Sequence, residues 1–312
     1  MLKTDNINEI AVADNDGHKI SWINIRNAGK TELDWLRKKF DFKLSHLSAS
    51  SVKAVTQRSI IEKTENYIFM ILHFPVLAGD KVVTEEIDFF VGKDYLVTSH
   101  DNKIGALNEL FSFYKKENAP EDGGVIGLLC HILEKLSDIP FALLDKNGSA
   151  INELEDMIFD HKSRMAASRV LSLRLGIINA CEALQNHQRI IDVLTEYAAE
   201  FLSGGKAREL TRKIHRDAKT IWLNLENQRE IVEVLNSTNE SFMNYQISNI
   251  MKTLTIFSVI VFPLTLLAAI FGMNTVNGMP FMETKNGFWA IIGIMLCGSL
   301  FMVFYFKGKK WL

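Results

Sequence analysis

The chain has 312 residues, 47% of them hydrophobic and 23% charged, with a formal net charge of −2. That length holds about two domains of roughly 100–200 residues each, and the near-neutral balance argues against a nucleic-acid partner. Three cysteines, Cys130, Cys181 and Cys297, lack metal-ligand spacing, and the first two read as reduced core residues.

The N-terminus, Met1-Leu2-Lys3-Thr4-Asp5, has no apolar signal-peptide core, so about the first 250 residues are expected to remain unexported. Residues 1–140 read as a cytoplasmic α/β domain. Ile10 to Val12 and Ile20 to Ile25 read as strands around a turn at Asn15-Asp16-Gly17. Thr31 to Phe40 has helical spacing. Tyr67 to Phe74, Val82 to Val91 and Tyr95 to Ser99 are rich in β-branched and aromatic residues and are punctuated by Gly79-Asp80 and Gly92-Lys93-Asp94, which predicts consecutive antiparallel strands. His73 and His100 fall at predicted strand ends and read as structural. Leu107 to Tyr114 and Val125 to Leu136 return to helix, separated by Pro120 and Gly123-Gly124, and Pro140 closes the region. No Gly-rich phosphate loop, nucleophile elbow or catalytically spaced carboxylate pair occurs, so no enzyme constellation is present.

Residues 141–252 read as a helical hairpin followed by a stalk. Gly204-Gly205 is the clear break, with an antiparallel helical pair expected before it. After it, Ile214, Ala218, Ile221, Leu225, Gln228, Val232, Leu235, Asn239, Phe242, Gln246 and Asn249 recur in alternating steps of four and three, the pattern of a heptad seam. The seam turns polar toward its end. Each buried amide costs stability unless paired, so the gradient suggests several copies of one helix around a watery axis. An accidental spacing on a solvated surface is the other reading. Without a breaker into the next segment, this helix would be on the order of 100 Å long.

Residues 253–312 read as a membrane domain. No charge occurs between Lys252 and Glu283, or from Asn286 to Phe306. Spans of about 254–273 and 287–306 are each about 20 residues, enough at roughly 1.5 Å per residue to cross a hydrocarbon core of about 30 Å. Lys252 flanks the first span, and Lys307, Lys309, Lys310 and Trp311 flank the second. The connection Thr275 to Lys285 carries only Glu283 and Lys285. Basic flanks stay inside and Trp suits the interface, so both termini are expected to be cytoplasmic in a multi-pass protein of the cell inner or plasma membrane.

Here the residues carry a family resemblance. Phe262-Pro263-Leu264-Thr265-Leu266-Leu267-Ala268-Ala269-Ile270-Phe271-Gly272-Met273-Asn274, preceded by Met251-Lys252-Thr253-Leu254-Thr255-Ile256 and followed by Met279-Pro280, resembles the CorA metal-ion transporter family. So do the tail Tyr305 to Leu312 and, upstream, Trp22 to Ile25, Leu72 to Pro75 and Phe90 to Thr98. The resemblance implies an α+β cytoplasmic domain, a long helical stalk and two transmembrane helices, assembled as a funnel-shaped homopentamer that conducts divalent cations. It implies a selectivity filter at Gly272, Met273 and Asn274. It also implies a pore face through Ser248, Met251, Leu254, Ser258, Phe262, Thr265 and Ala269, with Met251 and Leu254 as apolar gate rings. Lipid or neighbour packing is the other reading for those two. The face is rotated by one or two positions from the stalk seam, and the sequence admits either register.

Physical chemistry fits that assignment. Mg²⁺ dehydrates reluctantly and prefers oxygen partners. The Asn274 carbonyl can accept hydrogen bonds from the ion's hydration water, and its neutrality avoids trapping the ion. Gly272 is expected to let the backbone turn at the helix end. Glu283 either concentrates cations outside or is an ordinary solvated loop charge. Phe262 and Phe271 depart from residues common in the family, and Ser237, near Asn236 and Asn239, stands where a regulatory Asp is expected. Asp88 is the remaining candidate for a regulatory metal site, so intracellular Mg²⁺ gating is expected to be weak or differently placed.

No cofactor is expected, with Mg²⁺ as the transported and possible regulatory ion. No histidine follows His215 and no carboxylate lies in either span, which disfavours soft-metal ligation and proton coupling. A Zn²⁺, Co²⁺, Ni²⁺ or Mn²⁺ transporter of the same superfamily is the alternative. A two-span membrane receptor is the alternative from another class, disfavoured by the short outer connection.

Overall fold

The structure, a computed structural model, describes residues 5–13, 19–51, 58–117, 123–160, 163–201, 206–273, 280, 285–309 and 311. The chain divides into two units, Met1–Ser237 and Thr238–Leu312.

In the first unit, β1 (Ile7–Ala13) and β2 (Lys19–Arg26) are followed by α1 (Lys30–Phe40), α2 (Leu44–Ala49) and β3 (Ile60–Lys63). Next come β4 (Ile68–Ala78), β5 (Lys81–Val91), β6 (Tyr95–His100), α3 (Gly105–Glu117), α4 (Gly124–Phe159), α5 (Ser163–Leu184), α6 (His187–Phe201) and the start of α7 (Lys206–Phe271). The β4–β5 hairpin is built by β-branched and aromatic runs joined at Gly79, whose φ of 64° suits a residue without a Cβ. The proposed turn at Asn15-Asp16-Gly17 and the break at Gly204-Gly205 lie outside the described residues.

The sheet order is β1-β2-β6-β5-β4-β3. All neighbours are antiparallel except β2 and β6, which run parallel in the register Ser21↔Tyr95 to Arg26↔His100. Strand periodicity sends alternate residues to opposite faces. Ile68, Met70, Leu72 and Phe74 join Trp22, Ile87 and Phe89 on one face, under α3, α4 and α6. Phe69 and Ile71 join Ile23, Ile25, Phe90 and Val97 on the other, under Leu36 of α1 and Leu47 of α2. Ile68 to Phe74 is therefore buried on both sides. At about 1.5–3 kcal/mol per fully buried large apolar side chain, this central hairpin is the densest source of stability in the unit. His73 lies inside β4, not at a strand end. Its Nε2 meets Glu86 at 3.1 Å and its Nδ1 meets Ser59 at 2.8 Å.

Pro140 does not close the first region, because α4 runs through it. A proline there supplies no N–H to the preceding turn and costs on the order of 3 kcal/mol in an exposed helix. Here its ring is buried beside Leu133, Leu184 and His187, which offsets part of that cost. Arg169 on α5 pairs with Glu153 on α4 at 3.3 Å, as expected for an antiparallel helical pair. A further break at Gln185-Asn186 then starts α6.

The heptad spacing along α7 is real, but its first part already has partners in the same chain. Ile214, Ala218 and Ile221 pack with Leu133, Leu184 and Ile191 from α4, α5 and α6. Leu225, Val232 and Leu235 are also buried. Lys213 pairs with Glu134 and His215 with Asp192 (2.9 Å) beside that seam. The stretch from Ile214 to Ile221 thus answers to the hydrophobic effect within one protomer. Gln246 and Asn249, farther along, are exposed.

Candidate functional site

The second unit contains the outer part of α7 and, after the connection, α8 (Gly287–Gly308). Both helices are long and apolar enough to cross a membrane, and in each the most apolar stretch is only 6% buried. A core helix of a water-soluble domain would be mostly covered, so these surfaces call for an apolar solvent. Three threonine hydroxyls on the outer part of α7 are satisfied locally. Thr253, Thr255 and Thr265 donate to the carbonyls of Asn249, Met251 and Val261 at 3.0, 2.8 and 2.9 Å. That removes donors that hydrocarbon would leave unpaired. At Thr265, what remains available is oxygen lone pairs.

Two stripes divide the outer part of α7. Lys252, Ile256, Ile260, Pro263, Leu267 and Phe271 are buried or half-buried and recur every three or four residues. On α8, Ile291, Ile292, Met295, Gly298, Ser299, Met302 and Phe306 form a matching covered stripe. Each of the two helices thus has a less exposed side of its own.

The predicted pore residues lie elsewhere. Met251 and Leu254 are each 63% exposed and Phe262 69% exposed. Ser248, Thr265 and Ala269 are exposed and Ser258 half-buried. At roughly 100° per residue, the two stripes point to nearly opposite sides of α7. The sequence already carried this second stripe in the spacing of Ile256, Ile260, Pro263 and Leu267, but an all-apolar helix gives no contrast by which to read it.

At the end of α7, the Gly272 N–H donates to Ala268 O at 2.9 Å and the Met273 N–H to Ile270 O at 3.2 Å. The turn therefore tightens as it ends. Gly272 does not occupy the left-handed region expected of a turning glycine. A Cβ at this position would stand 3.0 Å from Ala268 O, so a larger residue needs the last turn to give by a few tenths of an ångström. Asn274 and Glu283 lie outside the described residues, as does Met279.

In the first unit, Asp88 on β5 stands opposite Ile71 of β4 and Ser99 of β6. It is 4% exposed, on a cavity of about 170 Å³ shared with Ser50, Glu86, Asp101 and Lys103. Burial, then the charge of Glu86, push its carboxyl well above the ordinary carboxylate range. That disfavours the charged form a divalent ion would need for ligation. Beside it runs a satisfied polar chain. Trp22 Nε1–H donates to Thr98 Oγ1 (3.2 Å), Thr98 to Asn24 Oδ1 (2.9 Å), and His100 Nε2–H to the same Oδ1 (3.0 Å). The Asn102 N–H closes it onto His100 Nδ1 at 3.1 Å. Burial, then Arg26, lower the His100 pKa to about 4, so the ring is neutral.

The model of the family described as CorA-like Mg²⁺ transporter protein matches residues 17–309. The cobalt/magnesium transport protein CorA of Thermotoga maritima is 26% identical over 307 residues, 95% of this chain and 85% of that protein. The protein of the same name from Methanocaldococcus jannaschii is 24% identical over 310 residues, 98% of this chain and 95% of that one. The complete structure of the CorA magnesium transporter from Methanocaldococcus jannaschii superposes with a TM-score of 0.84 at 22% identity, covering 100% of both chains.

Proposed function

Because the chain belongs to the CorA-like Mg²⁺ transporter family, we propose that it conducts divalent cations across a membrane, with Mg²⁺ the principal ion. The observation that carries this is the extent of the family match. Residues 17–309 take in the sheet, the helical layer and both apolar helices together. The relatives named for cobalt and magnesium transport cover nearly the whole chain at the same time.

Two apolar helices from one protomer cannot enclose a path, so the working unit is a homo-oligomer, a homopentamer by family. Both termini are cytoplasmic. The exposed side of α7 that carries Met251, Leu254 and Phe262 faces the axis, and the Met251 and Leu254 side chains close it by excluding water. Ser258 and Thr265 are polar stations between them and the mouth. Gly272 and Met273 bring the chain to Asn274, whose amide oxygen accepts hydrogen bonds from the ion's hydration water. The helix end contributes partial negative charge there, roughly half an elementary charge per helix. Glu283 raises the local cation concentration outside. Influx is driven by the membrane potential, with no carboxylate or histidine in the spans to couple protons. No covalent chemistry is required of the chain. A Zn²⁺-selective path is less favoured, because no thiolate or imidazole lies on the proposed face.

The test is flux into liposomes with Mg²⁺, Co²⁺, Ni²⁺ and Zn²⁺ offered separately, with and without a proton gradient. Mg²⁺ entry independent of the gradient is expected. Proton-dependent Zn²⁺ uptake with no Mg²⁺ flux would overturn the reading, and an Asn274→Ala protein with unaltered selectivity and rate would overturn the filter assignment.

A further inference from the structure

α8 does not fray into a loose basic tail. After Phe306, the Lys309 N–H donates to Tyr305 O at 3.1 Å and the Trp311 N–H reaches back to Phe306 O at 3.0 Å. The second bond closes a six-residue loop at the helix end, and an apolar contact spans the same two residues. The Trp311 ring stacks on Phe306 with centroids 5.9 Å apart and planes 27° apart, while Tyr305 meets the same ring edge-on at 5.8 Å. The result is an aromatic plate fixed to the end of an apolar helix that carries no charge before Lys307. Lys307 and Lys309 are exposed beside it. Among the described residues, no acidic side chain pairs with either.

We propose that this capped end of α8 is a docking site for the headgroups of anionic phospholipids. Aromatic plates settle at the boundary between hydrocarbon and headgroups, and lysine reaches from such a boundary to phosphate as a flexible point charge. A zwitterionic headgroup adds a cation that the lysines repel, whereas an anionic one does not. Lys307 and Lys309 are two residues apart, about 3 Å along the helix axis, so both can reach one headgroup layer. The inference rests on the membrane reading of α7 and α8.

The experiment uses the full chain in phosphatidylcholine nanodiscs doped with spin-labelled phosphatidylglycerol or spin-labelled phosphatidylcholine. The ratio of the two motionally restricted fractions is the readout. The native protein is expected to prefer phosphatidylglycerol several-fold. The Lys307→Gln, Lys309→Gln double variant is expected to lose most of that preference, at roughly fivefold per lysine for about 1 kcal/mol each near a surface. Trp311→Phe should retain it, and Trp311→Ala, which opens the plate but keeps every charge, should weaken it. No preference in the native protein, or an undiminished one in the double variant, overturns the proposal. So does displacement by inorganic phosphate, which would mark a free-anion site. A protein that inserts and passes Mg²⁺ without lipid preference sinks this inference alone, whereas one that fails to insert sinks the membrane reading beneath it.

Discussion

Gln228 of α7 grips Asn147 of α4 with one end of its amide and the α4 backbone with the other. Asn147 Nδ2 donates to Gln228 Oε1 at 3.1 Å, and Gln228 Nε2 donates to Leu144 O at 2.8 Å. Asn147 is 5% exposed, so this is a buried contact. Leu144 O is a helical carbonyl given a second donor. Gln228→Leu keeps the volume and strands the Asn147 donor. We expect a loss of about 1–3 kcal/mol, seen as a lower thermal midpoint and faster amide exchange along α4 near Leu144. Unchanged exchange there would mean that the grip is incidental.

At Gly272 an added Cβ would crowd Ala268 O. Gly272→Ala is expected to cost about 1–3 kcal/mol through overpacking at the end of α7 and to lower Mg²⁺ flux several-fold. Uptake followed with a Mg²⁺-sensitive dye in vesicles checks this. Wild-type flux would show that the last turn yields freely.

The opposed stripes on α7 make an accessibility prediction. In a Cys297→Ser background, with Cys130 and Cys181 buried, cysteines at Ser258, Thr265 and Ala269 should react with a small charged thiol reagent. Cysteines at Ile260 and Leu267 should react several-fold more slowly. The reverse order would place the water path on the side of Ile260 and Leu267.

Acid should weaken the first unit through two histidines. His187 donates Nε2–H to His73 O at 2.9 Å, and burial lowers its pKa to about 4, against an upward pull from that bond. His100 is likewise lowered to about 4. These values lie below the unfolded value of about 6.5. From about pH 6.5 down to 4 the unfolded chain takes up protons that the native one refuses, and stability falls with pH. The raised carboxyl of Asp88 acts in the opposite sense, its contribution declining as pH rises from about 4. His187→Gln should therefore flatten the acid limb of the melting profile, and limbs that stay parallel would contradict the assignment.

Asp88, whose carboxyl burial pushes well above the ordinary range, should tolerate amide replacement. Asp88→Asn is expected to leave stability at pH 7 within about 1 kcal/mol and to leave unchanged the internal Mg²⁺ concentration that reduces flux. Loss of a steep millimolar Mg²⁺ inhibition in this variant would instead make Asp88 a metal ligand.

What could be read beforehand divides along physical lines. The membrane helices were legible because an absence of charge over about 20 residues has few other causes. The β4–β5 hairpin was legible because Ile68 to Phe74 is apolar on both faces and Gly79-Asp80 marks its turn. β3 and α2 were missed, since four and six residues carry little periodicity. The parallel seam between β2 and β6 was missed because pairing across so long a separation leaves no local mark. The heptads of α7 gave the right spacing and an incomplete partner. Spacing states that Ile214 and Ile221 share a face, while Leu133 and Ile191, distant in sequence, decide what meets it. Pro140 misled because its cost was counted without the buried contacts around its ring. At the site, the side chains Met251 to Ala269 could be grouped on one face in advance, but the crowding that a Cβ at Gly272 would meet needed coordinates.

The parallel seam also sets a timetable for synthesis. Ser21 leaves the ribosome long before its partner Tyr95 exists. At roughly 5–20 residues per second the inner edge of β2 waits about 4–15 s. Until β6 arrives, the β1–β2 hairpin presents an unpaired apolar edge of the kind that recruits other strands, so this interval is when a nascent-chain chaperone has most to protect. The sheet closes with His100, well before Leu254 is made. The sheet therefore has time to form before the apolar outer part of α7 has been translated.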